Sequence, residues 1–309
     1  MTAAGAALPR RSPSSQRLGG LGSALRSTAA FMVVVLLLAV AWEAAKWIAG
    51  DPWREALGMP IDPPHIPPFH IKQFSDLNLP HVWDVIGAFS RPSVRNSPFT
   101  LGAVLIDAAV FTGRSAVLGF AVGAVVGLGL AILFVRSRLL ERALVPYVIA
   151  TQTVPIVALA PMLVLWVGRE WTSVVLVSAY LTFFPVTIAG IRGLSSPDPR
   201  SLELMRSYAA SDWSVLWKVR FPAALPYLFT AFKISATASV VGAIVGEEPT
   251  GIRGGLGRAI LQFNTQYSSG PEKLWAVVMV AAALGIVFFV VVRVAELVVL
   301  RNRTLPSDV

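Results

Sequence analysis

The stretch Ser115-Ala-Val-Leu-Gly-Phe-Ala-Val-Gly-Ala-Val-Val-Gly-Leu-Gly-Leu-Ala-Ile-Leu-Phe-Val135 carries no charge and is bracketed by Arg114 and Arg136. As a helix rising 1.5 Å per residue, it is long enough to cross the roughly 30 Å hydrocarbon core of a bilayer. The rest of the chain is of the same kind. Of 309 residues, 55% are hydrophobic and only 14% charged, and the mean hydropathy is +0.67. Soluble domains average about 25% charged residues, so this chain has too little polar surface to coat a globule in water. Six apolar segments are long enough to span: 29–49, 115–135, 144–167, 171–191, 223–245 and 274–298. The expected fold class is all-α, a polytopic membrane protein of six transmembrane helices. The absence of Cys excludes a disulfide scaffold.

Residues 1–28, rich in Ala, Ser, Gly and Arg, read as a disordered tail. The first span, 29–49, is expected to be retained. Its apolar run is long and ends on Trp42-Glu43-Ala44-Ala45-Lys46-Trp47, not on a small-residue cleavage site. Orientation follows from the basic residues. Arg10, Arg11, Arg17 and Arg26 lie in the amino tail, and Arg136, Arg138 and Arg142 in the 136–143 connector. Arg192, Arg200, Arg206, Lys218 and Arg220 lie in the 192–222 connector, and Arg301 and Arg303 in the tail 301–309. Six spans put all four regions on one side, which the positive-inside rule makes cytoplasmic. The net charge of +9 is thereby assigned to connectors beside membrane lipid, not to a nucleic-acid surface. The expected location is the bacterial inner membrane, crossed several times.

The connector 50–113 falls outside. Its Pro63-Pro64-His65-Ile66-Pro67-Pro68 run favours extended, polyproline-like backbone, and 100–114 reads as an amphipathic helix on the outer surface. His65, His70 and His81 match no metal-ligand spacing, so no metal site is expected.

Catalytic signatures are missing. The chain contains no P-loop, no His-Glu-x-x-His and no Gly-x-Ser-x-Gly. Gly251-Ile-Arg-Gly-Gly-Leu-Gly257 lacks the last glycine of a dinucleotide fingerprint and reads as a tight turn. Spans two to four are almost free of ionisable groups, which argues against an intramembrane enzyme or a proton-coupled carrier. No catalytic residue is expected, and solute movement would have to be powered from outside the chain.

The most informative connector is Pro197-Asp-Pro-Arg-Ser-Leu-Glu203-Leu-Met-Arg-Ser-Tyr-Ala209-Ala-Ser-Asp-Trp213-Ser-Val-Leu-Trp217-Lys-Val219-Arg-Phe221-Pro222-Ala-Ala-Leu-Pro226-Tyr. Ser201 or Asp198 can cap a short helix with Glu203 in its first turn. Ser211-Asp212 can cap a second helix, apolar at Trp213, Val215, Leu216, Trp217 and Val219. Pro222 and Pro226 are expected to stop that helix and begin the next span.

This segment resembles the EAA loop of ABC-transporter permeases, whose pattern is Glu-Ala-Ala, three residues, Gly, nine residues, Ile-x-Leu-Pro. Glu203 takes the Glu, Leu204 and Met205 the two Ala, Ala209 the Gly, and Val219-Arg220-Phe221-Pro222 the final four, with spacing intact. The resemblance covers about 100–300, including Pro155-Ile-Val-Ala-Leu-Ala-Pro161 and Gly246-Glu247, and is nearest to the sulfonate, taurine and nitrate branch. That branch also includes importers of pyrimidine thiamine precursors and riboflavin. It implies a permease subunit that binds no cofactor itself, with ATP and Mg on partner ATPase subunits. Further implied partners are a second permease, either another copy of this chain or a paired permease, and an external solute-binding protein. ATPase coupling is implied for Glu203, Leu204, Met205, Arg206, Ala209, Ala210, Val219 and Pro222. Because Ala209 lacks the freedom of Gly at positive φ, it either stays helical or passes the bend to Ala210–Ser211. The resemblance leaves the solute between a sulfonate-like anion and a pyrimidine or flavin.

Candidate solute-path residues are the polar side chains of spans three to five: Thr151, Gln152, Thr153, Ser235, Thr237 and Ser239. Glu247 and Glu248, at the outer end of span five, either face the solute or the external binding protein, or pair with Arg253 or Arg258. Lys233 would cost roughly 2.5–3.5 kcal/mol at the bilayer centre, so it is expected to snorkel to the cytoplasmic interface in a structural role.

Overall fold

The computed structural model describes residues 13–56, 59–94, 97–168, 170–251 and 254–300. It divides into two compact units, 1–84 and 85–309.

In the first unit, α1 (Pro13–Ala49) precedes an antiparallel hairpin of β1 (Trp53–Ala56) and β2 (Met59–His65), with Trp53 opposite His65. The helix already begins at Pro13, so the tail expected to be disordered through residue 28 is helical over 13–28; residues 1–12 lie outside the described residues. The connector folds back on the end of α1 through charged groups. Lys46, fully buried, donates to Asp76 Oδ1 at 2.6 Å, and His81 Nδ1 lies 2.7 Å from Glu43 Oε2. The Val82 N–H donates to Glu43 Oε1 at 2.7 Å. His65 stacks on Trp47 with ring centroids 3.5 Å apart. His70 Nδ1 lies 3.6 Å from Asp51 Oδ1, so all three histidines have a ring or a carboxylate beside them.

Helix α2 (Val82–Ala88) leads into the second unit. There follow α3 (Leu101–Arg136), α4 (Arg138–Thr151), α5 (Ile156–Val167), α6 (Trp171–Leu194), α7 (Pro199–Ser207) and α8 (Asp212–Val215). After them come α9 (Phe221–Thr250), α10 (Leu256–Thr265) and α11 (Pro271–Leu300). Among the described residues, five helical stretches are long and apolar enough to span singly, and six if the bent pair α4–α5 counts as one.

Two sequence expectations are corrected. The surface helix 100–114 and the span 115–135 are one helix, α3, capped by Thr100, whose hydroxyl accepts from the Ala103 N–H at 3.3 Å. The span 144–167 is not continuous, because α4 and α5 meet at 101°. Pro155 has no N–H to continue the helix, and the carbonyls freed at the break are taken up locally. Thr151 and Thr153 hydroxyls donate to Val148 O at 2.7 Å and Ala150 O at 2.8 Å, and the Tyr180 hydroxyl donates to Thr151 O. Satisfying them removes the main objection to a broken helix at membrane depth.

The centre of the unit is α6, packed between α3 and α9. Gly119, Gly123 and Gly127 recur one turn apart on α3 and face α6. A Cβ at Gly123 would lie 2.5 Å from Ala179 O and 2.6 Å from Thr182 Cβ. Small residues at this spacing let helix backbones meet where no hydrophobic effect drives them together. Helix α11 packs against α9. Lys233 has a structural partner: its Nζ donates to both oxygens of Glu296, at 2.9 and 3.0 Å, and Arg293 adds a contact of 2.6 Å to the same carboxylate.

Candidate functional site

The 192–222 connector is built from its caps inward. Asp198, not Ser201, caps α7: its Oδ1 accepts the Arg200 N–H at 2.9 Å, and Pro199 fills the first helical position, where no N–H is needed. At the other end the Ala209 N–H bonds Arg206 O at 2.9 Å and the Ala210 N–H bonds Met205 O at 3.0 Å. These are the paired bonds of a Schellman ending. Ala209 sits at its left-handed position with φ 50°. Both expectations for the bend are thereby overturned, since the turn falls on Ala209 itself. Its conformation is the one that glycine at this place in the pattern would supply.

Ser211 caps α8 by accepting the Ser214 N–H at 3.3 Å. Pro222 does not stop this helix, contrary to expectation. Residues 216–220 widen into a π-turn, with the Phe221 N–H bonding Leu216 O, and α9 follows without a gap. Widening just before Pro222 relieves the clash its ring would make with a carbonyl of the preceding α-turn, and the missing N–H falls in the first turn. The second helix of the connector and the span α9 therefore form one helical rod, Asp212–Thr250.

The inner flank of the rod's start is fixed. Leu216 is buried with Ala131, Val186, Leu194 and Ala224. The Arg220 guanidinium donates to Leu194 O at 2.9 Å, tying the end of α6 to the π-turn. Between α7, α8 and the end of α3 lies a cavity of about 220 Å³, lined by Leu202, Arg206, Ala210, Val215 and Arg136 among others. Leu202, Met205, Ala210 and Val219 are half-buried, whereas Glu203, Leu204, Ser207 and Tyr208 form one exposed face of α7. Leu204 is 57% and Tyr208 76% exposed. Glu203 thus stands on an exposed face beside Leu204 and Tyr208, and the chain leads on from α7 into the rod.

The solute-path candidates divide. Thr151, Gln152 and Thr153 sit together at the α4–α5 break. Ser235 and Ser239 are fully buried where α6 meets α9, with Ser178 donating to Ser239 O at 2.8 Å, so they line no open surface of this chain. Thr237 alone of the α9 candidates is exposed, in a stripe with Tyr227, Thr230, Ile234 and Val241. Beside that stripe is a groove of about 450 Å³ whose lining includes Phe184, Ile188, Arg192, Tyr227, Thr230 and Ile234. Sequence reasoning missed these residues, although the three- and four-residue spacing along α9 was a usable signal. Glu247 is fully buried instead of facing outward. Thr112 donates to its Oε1 and the Gly257 N–H to its Oε2, both at 2.8 Å, while Leu256 N–H donates to Thr112 at 2.8 Å. These bonds clamp the turn after α9 to α3. Of the expected partners, Arg253 lies outside the described residues.

Residues 122–304 match the family described as binding-protein-dependent transport system inner membrane component. The formylaminopyrimidine transport permease ThiX of Halalkalibacterium halodurans is 32% identical over 72% of this chain and 91% of its own. The putative aliphatic sulfonates transport permease SsuC of Bacillus subtilis is 29% identical over 72% of this chain and 83% of its own. The riboflavin transport permease RibX of Chloroflexus aurantiacus reaches 40%, over 40% of this chain and 46% of its own. Among solved structures, an inward-facing MetNI methionine ABC transporter shares the fold, with TM-score 0.55 and 19% identity over 66% of this chain and 97% of that one.

Proposed function

Because this chain belongs to the family of binding-protein-dependent transport system inner membrane components, we propose that its 192–222 connector is the surface through which a separate ATPase drives it. The chain is the permease of an ABC importer, a multi-pass inner membrane transport component and not an enzyme. In the proposed reading both termini and the connector are cytoplasmic. ATP and Mg stay on the ATPase, and Glu203, Leu204, Met205, Arg206, Ala209, Ala210, Val219 and Pro222 make up the coupling segment. Closure of the ATPases would move α7, and the π-turn would carry that displacement into α9 as a rigid-body change. The observation that supports this reading is the unbroken rod from Asp212 to Thr250 beside an exposed Glu203 face.

The test is Glu203→Lys. The variant is expected to reach the membrane and keep its thermal unfolding midpoint, but to lose co-purification with the ATPase. Retained co-purification and transport would overturn the assignment.

For the pathway we propose a second permease copy facing the Thr237 stripe, and a solute delivered by an external binding protein. The α6–α9 groove presents Phe184 and Tyr227 with the Thr230 hydroxyl, and its one cation, Arg192, lies near the end of α6. This lining suits a flat heteroaromatic solute such as a pyrimidine or a flavin. A sulfonate-, taurine- or nitrate-like anion is the second reading, favoured by Arg192 and by the similarity to SsuC. A thermal-shift screen of the cognate binding protein against both classes decides between them.

A further inference from the structure

Helix α7 carries the proposed coupling residues, yet none of its residues is buried. Between it and the end of α3 lies the cavity of about 220 Å³. Arginines from three elements line that cavity: Arg136 closing α3, Arg206 in the last turn of α7 and Arg220 in the π-turn. One carboxylate, Asp212 of α8, stands against them, so the lining carries two positive charges beyond neutrality. Asp212 Oδ2 lies 3.7 Å from Arg136 Nη2, and both side chains are largely exposed, so this pair is loose. Arg220 spends one donor on Leu194 O. Arg206 pairs with no carboxylate among the described residues.

We infer that this cavity is a binding site for a phosphate group, carried by a soluble phosphate or by the headgroup of an anionic phospholipid. Each guanidinium is a planar fork of donors that matches a pair of oxygens. Forks approaching from three elements call for acceptors on several sides, which a tetrahedral oxyanion has and a carboxylate or chloride lacks. Charge agrees as well. A phosphate monoester carries about −1.5 to −2 at neutral pH, close to the surplus in the lining. Apolar walls from Ile132 and Leu202 lower the local polarity and strengthen each contact. Arg136 ends the uncharged run of α3, so the cavity borders the level where hydrocarbon gives way to headgroups, and either source of phosphate can reach it. Bound there, the anion is a strut between α7, α3 and the foot of the rod, and it holds the coupling helix in one position. The site lies under the proposed coupling segment but binds whether or not an ATPase docks.

The test uses the full-length protein without ATPase and reads amide hydrogen exchange over residues 200–210. In neutral detergent, inorganic phosphate is titrated against chloride at constant ionic strength. In a second arm the protein sits in phosphatidylcholine nanodiscs, with or without phosphatidylglycerol, in phosphate-free buffer. A ligand at about ten times its half-saturating concentration slows exchange through the unliganded open form about tenfold. That slowing is expected in at least one arm, while residues 228–240 stay unchanged. Slowing by inorganic phosphate identifies a soluble ligand, and slowing confined to phosphatidylglycerol identifies a lipid headgroup. Arg206→Gln should abolish the response, whereas Arg200→Gln, which removes the same charge from α7 outside the cavity, should keep it. Arg136→Gln, on a separate helix, should abolish it too, so the loss is not a defect of α7 itself. No slowing in either arm, equal slowing by chloride, or a response that survives Arg206→Gln would overturn the site. So would slowing that needs added ATPase, which would give the cavity to an acidic group of that protein. Glu203→Lys reads co-purification instead of exchange, so the two assignments fail separately.

Discussion

Ala209 holds a left-handed backbone, at φ 50°, that costs an L-residue about 1–2 kcal/mol. Ala209→Gly is therefore expected to stabilise the α7 turn by about 1 kcal/mol, partly offset by the freedom Gly gains in the open state. Hydrogen exchange of the Ala209 and Ala210 amides should slow severalfold, and faster exchange would contradict the assigned strain. Glu247→Ala would strand the buried Thr112 hydroxyl and Gly257 N–H, each of which now donates at 2.8 Å. A loss of about 2–3 kcal/mol is expected, seen as a lower thermal unfolding midpoint in detergent, with Glu248→Ala as a nearly silent control. At this scale the sequence was partly legible. Spacing identified position 209 as the turn candidate, yet alanine's steric preference argued against the conformation it adopts. Glu247 was not legible as a clamp, because its donors, Thr112 and Gly257, are distant in the chain or contribute only backbone.

Helix pairing is where small residues decide stability. Gly123→Leu should drive α3 from α6, since even a Cβ there would meet Ala179 O at 2.5 Å. Overpacking of this kind costs about 1–3 kcal/mol or more. Gly129→Ala, with nothing within 4 Å, should be neutral or slightly stabilising. If both variants unfolded at the same temperature, close backbone approach would not be what holds the pair. Span 115–135 was legible because length and absence of charge are local properties. The break between α4 and α5 was legible only as a choice between two prolines, Pro155 and Pro161. Pro146, Pro161, Pro185, Pro226 and Pro249 all sit inside helices without ending them. What distinguishes Pro155 is the set of donors that satisfy the freed carbonyls, one of them Tyr180 from α6. Likewise Pro222 reads as a stop until the π-turn before it is seen to absorb it.

Across the whole molecule, the exposed stripe of α9 is the expected meeting line of two permease copies. Thr237→Cys, in a chain with no other Cys, should form a cross-linked dimer in membranes with a short bifunctional reagent. Leu139→Cys, 77% exposed next to the α3–α4 junction, should give none. A monomer at both positions would remove Thr237 from the interface. The chain's composition, residue spacing and the places of its basic residues determined by themselves that it is a membrane protein, how many apolar segments it has and which connector is capped, basic and apolar enough to fold. These are properties of single segments, set by transfer free energy and by residue spacing. Tertiary structure alone decided that α3 is one long helix, that a span is broken, and that α8 and α9 are one rod. It also decided that Ser235, Ser239 and Glu247 are buried while Thr237 is open. Each of those outcomes depends on which distant backbone or side chain satisfies a hydrogen bond or fills a gap, and no local pattern contains that information.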